Sequence, residues 1–437
     1  MDGGGEAARN WFVGYLARKV LRADNERKEA EYHNLGAKEM ERILGASPRR
    51  WVINPLLTAR VIEVNEKYAA GRFSKGYRLS IAYRLELIGG DYRVEQLTDK
   101  AQLRRFSRWQ ERRHEKALER FPHLQHQLDA ADHFTVDLQA LDDYLYDLEL
   151  CGKWRGKELA KGRHEYLTAQ AKSMAAFFDG SERWAHFASG RIHTTLTNTP
   201  RDLRQFIIPK NGDDLIEIDL KSAQLVFLCV VIRSFYRQGG IYGSEDFHQK
   251  VIEDRFDLFE RDGLTPSDVY PFISTVLHDD IYTMFQEEYL QGSYTILNAK
   301  QRRLPHIKRE AMKKATFSKI LFTPNRTPPS AAGGLRQLVW NEYPSVMDFI
   351  QQFNDHSTRT KRSSELATLL QELEGSFFNE HLAGALAAFE PDCGFFIIYD
   401  AVFVSERHAE ALQGWLESVS RTLYRAELSH SSSLTLT

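Results

Sequence analysis

The sequence predicts an α+β chain, and three observations carry that reading. An apolar strand, Leu215 to Ile218, is followed by a long apolar helix of roughly Ser222 to Phe235. A second apolar run, Gly394 to Ser405, reads as two strands meeting in a hairpin turn at Tyr399 and Asp400. Between Asp219 and Phe389 the pattern is almost wholly helical, broken at Gly239 to Gly243 and at the Pro- and Gly-rich Thr323 to Gly334.

A chain of 437 residues has room for two or three packed lobes. Its 42% hydrophobic and 27% charged content is that of an ordinary globular protein, and no run of about 18 apolar residues suggests a membrane span. The start, Met1 to Glu6, is Gly-rich and acidic, unlike a secretory signal. Cys151, Cys229 and Cys393 are far apart and odd in number, which argues against a disulfide framework or a zinc ribbon and for a reducing, cytoplasmic interior. A net charge of −2 does not exclude a nucleic-acid partner, because such binding needs a local basic stripe rather than a basic total.

Taken in order, the first 45 or so residues read as helical, with Arg22 to Glu41 mixing both signs as a solvated helix does. Short strands and a basic turn are expected from Trp51 to Glu95, around Gly71 and Gly76. Helix returns over 97 to 125, where Arg104, Arg105, Arg108, Arg112 and Arg113 suit either a phosphate backbone or a solvated face. From Val136 to Phe187 the period is helical except at Cys151 to Arg163, a Gly-rich connection carrying Lys153, Arg155, Lys157, Lys161 and Arg163. That cationic tip suits gripping a duplex or simple exposure. The Ser- and Thr-rich end, Ser429 to Thr437, is expected to be disordered.

The candidate site centres on Asp219, a carboxylate delivered at the end of a strand. Upstream, Arg191, Arg201 and Arg204 surround Thr194, Thr197 and Asn198, a polar segment suited to holding a phosphate backbone. Within His306 to Phe322, helical spacing of four puts Arg309, Lys313, Phe317 and Leu321 on one stripe, cationic above and apolar below. Such a stripe suits a triphosphate on the cations and a base on the ring. Two carboxylates from separate strands, Asp219 and Asp400, can hold two magnesium ions for phosphoryl transfer. Each piece has a plainer reading too: a helix cap for Asp219 or Ser222, a turn former for Asp400, a solvated face for the basic helix.

The collinear order of these pieces resembles the polymerase core of the A-family DNA polymerases and the single-subunit phage-type RNA polymerases. The resemblance spans residues 190 to about 408 and runs through Gly190, Arg191, Asn198, Pro200, Arg204, Phe206, Ile207 and Pro209; Asp219, Ser222 and Gln224; Asp280, Ile281 and Tyr282; Arg309, Lys313 and Phe317; Tyr343, Pro344 and Val346; and Tyr399 with Asp400. Departures are Leu321 where the family has Tyr, Tyr399 where it has His, and one additional residue between Asp219 and Ser222.

The resemblance implies a right-hand polymerase with an antiparallel-sheet palm, helical fingers and a mostly helical N-terminal and thumb region. Its expected parts are an accessory domain (1–125), a thumb-like region (126–189), palm (190–238), fingers (239–378), and a second palm part with the tail (379–437). Asp219 and Asp400 would bind Mg2+, or Mn2+ in its place; Arg309 and Lys313 would take the incoming triphosphate; Phe317 would stack near the base. Gln224, five after Asp219, would exclude a ribose 2′-hydroxyl and favour deoxynucleotides. Arg191, Arg201, Arg204, Lys153, Arg155 and Lys157 are the expected contacts to a template–primer duplex. The expectation is therefore template-directed DNA synthesis from nucleoside triphosphates without a proofreading exonuclease. An RNA polymerase or primase, and a non-catalytic nucleic-acid-binding scaffold, are the alternatives. No membrane partner is expected, and the sequence identifies no protein or RNA partner.

Overall fold

The computed structural model describes residues 3–22, 31–66, 75–89, 99–155, 157–188, 190–220, 222–236, 266–291, 309–321, 334–359, 365–389, 393–414 and 434–436. The fold is α+β, mostly helical with small antiparallel sheets. The chain divides into two units, Met1–Phe187 with His193–Gly212, and Ala188–Ile192 with Asp213–Thr437.

In the first unit the helix Gly3–Arg22 buries Ala8, Phe12, Leu16 and Val20, four residues apart and therefore on one face. Phe12 meets Tyr77 edge-on at 5.6 Å, which seats this helix on a three-stranded sheet of His33–Asn34, Gly76–Leu79 and Ile62–Asn65. Two local expectations are corrected here. His33 pairs with Tyr77 inside what reads as a helical stretch, because an edge position on the sheet outweighs helix propensity in a two-residue piece. The region from Trp51 to Glu95 is helical at Asn54–Thr58, where Pro55 opens a first turn, and again at Ile81–Gly89.

The basic helix forms as expected over Lys100–Arg120, its N-terminus capped by Asp99, which accepts from the Gln102 N–H at 2.6 Å. Helices Leu138–Cys151 and Lys161–Phe178 flank the cationic connection, which is a small hairpin of Lys153–Trp154 and Lys157–Glu158. Gly152, at φ 62, ends the first of these helices in the left-handed conformation that glycine adopts without strain.

The second unit is built on a sheet ordered Phe395–Ile398, Ala401–Ser405, Leu215–Leu220, Leu434–Leu436. The hairpin around Tyr399 and Asp400 is present, with Ile398 opposite Ala401 and the Phe396 and Phe403 rings stacked at 4.8 Å. Within the expected disordered tail, Leu434–Leu436 is a correction, because it pairs with Ile218, Asp219 and Leu220, while 429–433 and 437 lie outside the described residues. Leu434 and Leu436 alternate with Thr435, the period a strand requires. The Leu215–Leu220 strand is less buried than its apolar sequence suggests, since only Ile218 is fully covered.

The helix Ala223–Tyr236 packs against Glu365–Ser376, and Phe235 meets Phe349 at 5.0 Å. Pro344 opens the helix Pro344–Arg359, whose Val346 is fully buried. The expected breaks at 239–243 and 323–333 lie outside the described residues; Gly334 begins the helix Gly334–Glu342. All three cysteines are free thiols, and no helix among the described residues is long and apolar enough to cross a membrane.

Candidate active site in the second unit

The strand Leu215–Leu220 carries one candidate carboxylate, and the turn of the neighbouring hairpin carries the other. Asp219 lies opposite Ala401, and the Leu220 N–H donates to the Asp400 carbonyl at 3.1 Å. Both side chains are half-buried. Each aspartate lies close to a strained residue: Ser222 has φ 58 and Tyr399 has φ 59, conformations that cost a non-glycine residue roughly 1–3 kcal/mol. A tyrosine at the first position of a two-residue hairpin turn stands where glycine is usual. The Arg191 guanidinium lies over its ring at 5.0 Å and holds it there.

Glu374 is the residue that sequence reasoning missed. It is 1% exposed, pairs with Arg191 at 2.6 Å, and accepts a hydrogen bond from the Gln224 side-chain amide. Burial pushes its carboxyl above the usual range; Arg191 and Gln224 oppose that shift, and the charge of Asp400 adds to it. The signal for its burial was present in the sequence. Leu366, Leu370 and Phe377 are buried at the helical spacing that includes position 374, so a glutamate occupies the apolar stripe of its helix.

Two glycines let this arrangement close. Gly190, at φ 79, lies where a Cβ would press on the Glu372 backbone N at 2.7 Å, and a Cβ on Gly375 would overlap the Gly190 carbonyl oxygen. The backbones flanking Arg191 and Glu374 therefore touch directly.

A second cluster forms around the basic helix, which spans Arg309–Thr316 and continues into a wider turn, Phe317–Leu321. Arg309 pairs with Asp280 and lies over the Tyr282 ring at 5.4 Å, and Tyr282 meets Phe317 at 6.4 Å. Asp280 also caps the helix Ile281–Gln291, accepting from the Tyr282 N–H at 3.2 Å and the Thr283 hydroxyl at 3.1 Å. Burial alone would raise the Asp280 carboxyl, but the bonds from Arg309 and Thr283 outweigh it and hold the group below its ordinary range. Tyr282 is fully buried and its phenol is pushed up to about 12, chiefly by burial, with Ser222, Arg309 and the charges of Asp280 and Asp400 also acting on it. Tyr282 thus packs against the basic helix within electrostatic reach of Asp400.

Of the expected stripe, Arg309 and Lys313 lie on the regular helix with side chains partly exposed. Leu321 does not continue it, because the wider turn from Phe317 alters the four-residue register and buries Leu321 in the core. His306 and Phe322, the ends of the segment, lie outside the described residues.

The candidate nucleic-acid contacts divide. Arg191 belongs to the second unit with Glu374, whereas Arg201, Arg204, Lys153, Arg155 and Lys157 belong to the first. There, Asp202 accepts from the Trp154 indole at 2.8 Å and pairs with Arg155 at 2.6 Å, which ties the small hairpin to the turn of helix Arg201–Arg204. Arg201 and Lys153 are exposed, while Arg204 donates to the Thr199 carbonyl at 3.1 Å. Thr194 and Thr197 are not a phosphate site. They are buried and form a reciprocal capping box on helix Thr195–Asn198, and Asn198 accepts from Arg22 at 2.8 Å.

The donor set suits a hard divalent cation in one respect. Magnesium is bound through one or two carboxylates plus substrate phosphates and water, and Asp219 and Asp400 are two carboxylate residues at one end of a sheet. Among the described residues no group of three or more His, Cys, Asp or Glu side chains forms a closed metal cage. No family model, no curated protein and no solved structure matches this chain.

Proposed function

We propose that the protein is a template-directed nucleotidyltransferase, specifically a DNA polymerase with a right-hand architecture like that of the A-family enzymes. The observation that carries the reading is the junction at Tyr282. A cationic helix bearing Arg309 and Lys313, followed by Phe317, meets that buried ring, on which Ser222 and the charge of Asp400 also act, and Asp400 lies beside the strand bearing Asp219.

In this reading Asp219 and Asp400 hold Mg2+, which supplies charge neutralisation at the reacting phosphate. Arg309, aimed by Asp280, and Lys313 bind the triphosphate and stabilise charge as it shifts toward the leaving group. Phe317 supports the base. Gln224, held by Glu374, lies on the sugar side and disfavours a 2′-hydroxyl. Chain growth forms a bond from the primer 3′-hydroxyl oxygen to the α-phosphorus and breaks the α–β phosphoanhydride. Pyrophosphate leaves and the hydroxyl proton passes to solvent.

Primer extension with magnesium, run with templated and untemplated primers and with deoxynucleotides and ribonucleotides separately, tests this. Templated incorporation that is lost in Asp219→Asn supports the polymerase and reports its sugar preference. Duplex binding without incorporation of any nucleotide would overturn the reading in favour of a scaffold.

A further inference from the structure

The first unit carries an aromatic surface that the proposed chemistry does not use. Helix Gly3–Arg22 and helix Lys100–Arg120 share a band in which Tyr15 stacks on Trp11 at 5.7 Å, Trp11 meets Phe106 at 5.9 Å, and Phe106 meets Trp109 at 5.6 Å. Cations stand at both ends, Lys19 over Tyr15 at 5.5 Å and Arg113 over Trp109 at 4.6 Å. A second stack adjoins it. Trp184, His186 and His193 lie face to face, with centroid separations of 5.4 Å and 5.0 Å. All these rings are half-buried, unlike the fully covered Phe12 and Phe121 of the same unit.

The charges here are mixed, with cations standing nearest the rings. Lys19 and Arg113 both act on His186, and Arg22 acts on Lys19. Glu39 is the carboxylate acting on Tyr15 and Arg113. Burial, then Arg113, His193 and Lys19, push His186 down to about 3, so its ring is neutral and flat among cations at neutral pH. Like charges gathered beside half-buried rings repel one another, and an anionic partner relieves that repulsion.

We propose that this face binds single-stranded nucleic acid, with unpaired bases packed against the accessible parts of these half-buried rings and phosphates on Lys19 and Arg113. Stacking on protein rings requires bases free of a duplex, and the flanking cations match a phosphate backbone. The proposal does not rest on the polymerase reading.

The test uses the full chain, without nucleotides, in the Asp400→Asn background, so that catalysis plays no part. A single-stranded oligodeoxynucleotide containing 5-iodouracil is photocross-linked and the modified peptides are mapped, while anisotropy compares that strand with a duplex. Cross-links at Trp184, His186 or Trp109 are expected. Lys19→Gln with Arg113→Gln should weaken single-strand binding about tenfold or more and flatten its salt dependence, and Lys19→Arg with Arg113→Lys should retain it. Trp184→Leu should weaken binding about fivefold or more without changing the salt slope. Cross-links confined to other regions, equal losses for strand and duplex, or unchanged binding in a folded Gln double variant would overturn the proposal.

Discussion

Asp219, on its strand opposite Ala401, is tied to Asp400 in the adjoining hairpin turn through the bond from the Leu220 N–H to the Asp400 carbonyl. Backbone pairing, rather than side-chain packing, fixes their spacing. Asp219→Asn and Asp400→Asn keep shape and remove charge, so each should leave the fold intact. Nucleotide incorporation should fall by about a hundredfold or more, measured by single-turnover primer extension beside a thermal melt. Activity near wild type in either variant would refute the metal-binding assignment.

Arg191 compensates a buried carboxylate, so removing it should be far more damaging than a surface charge change. Arg191→Leu is expected to cost about 3–5 kcal/mol in denaturant unfolding, because Glu374 would stay buried without its counter-charge. Restoring neutrality with Glu374→Gln in the same chain should recover much of that loss.

The raised carboxyl of Glu374 has a defined pH signature. Its folded pKa lies above its reference value of 4.5, so the favourable contribution is complete below that pH. It is lost as pH rises from there through the folded pKa. The stability of wild type relative to Glu374→Gln should therefore be greatest in acid and decline as pH climbs. Melting curves of both proteins across a pH series check this, and a pH-independent difference would contradict it.

Asp280 aims Arg309, and the consequence should fall on substrate binding. Asp280→Asn should raise the KM for nucleotide several-fold while changing kcat less, because the guanidinium loses its fixed position without leaving the site. Tyr282→Phe should keep stability within about 1 kcal/mol, whereas Tyr282→Ala should lose about 3–5 kcal/mol by emptying a fully buried ring site.

The parts of the fold written in local pattern were legible in the sequence. The Phe395–Ile398 and Ala401–Ser405 strands announce themselves by apolar runs either side of a polar turn, and the helix after Asp219 by its length. Thr194 and Thr197 show the opposite case, since hydroxyls that bind phosphate and hydroxyls that cap a helix look alike in sequence. The role of Glu374 was hidden by separation, because its partners Arg191 and Gln224 lie 183 and 150 residues away along the chain. The strand at His33 was equally illegible, its pairing being decided by Tyr77 rather than by its neighbours.

The close approach of Gly190 and Gly375 bears on how this protein can be divided. Residues 188–192 belong to the second unit, although the chain then returns to the first before entering the second again at Asp213. A gene fragment begun at Asp213 would encode both aspartates and the cationic helix yet omit the guanidinium that balances Glu374. The C-terminal half is thus no transplantable cassette. Coexpressing the N-terminal piece should be needed to rescue such a fragment, since it carries the Gly190 and Arg191 that the other half lacks.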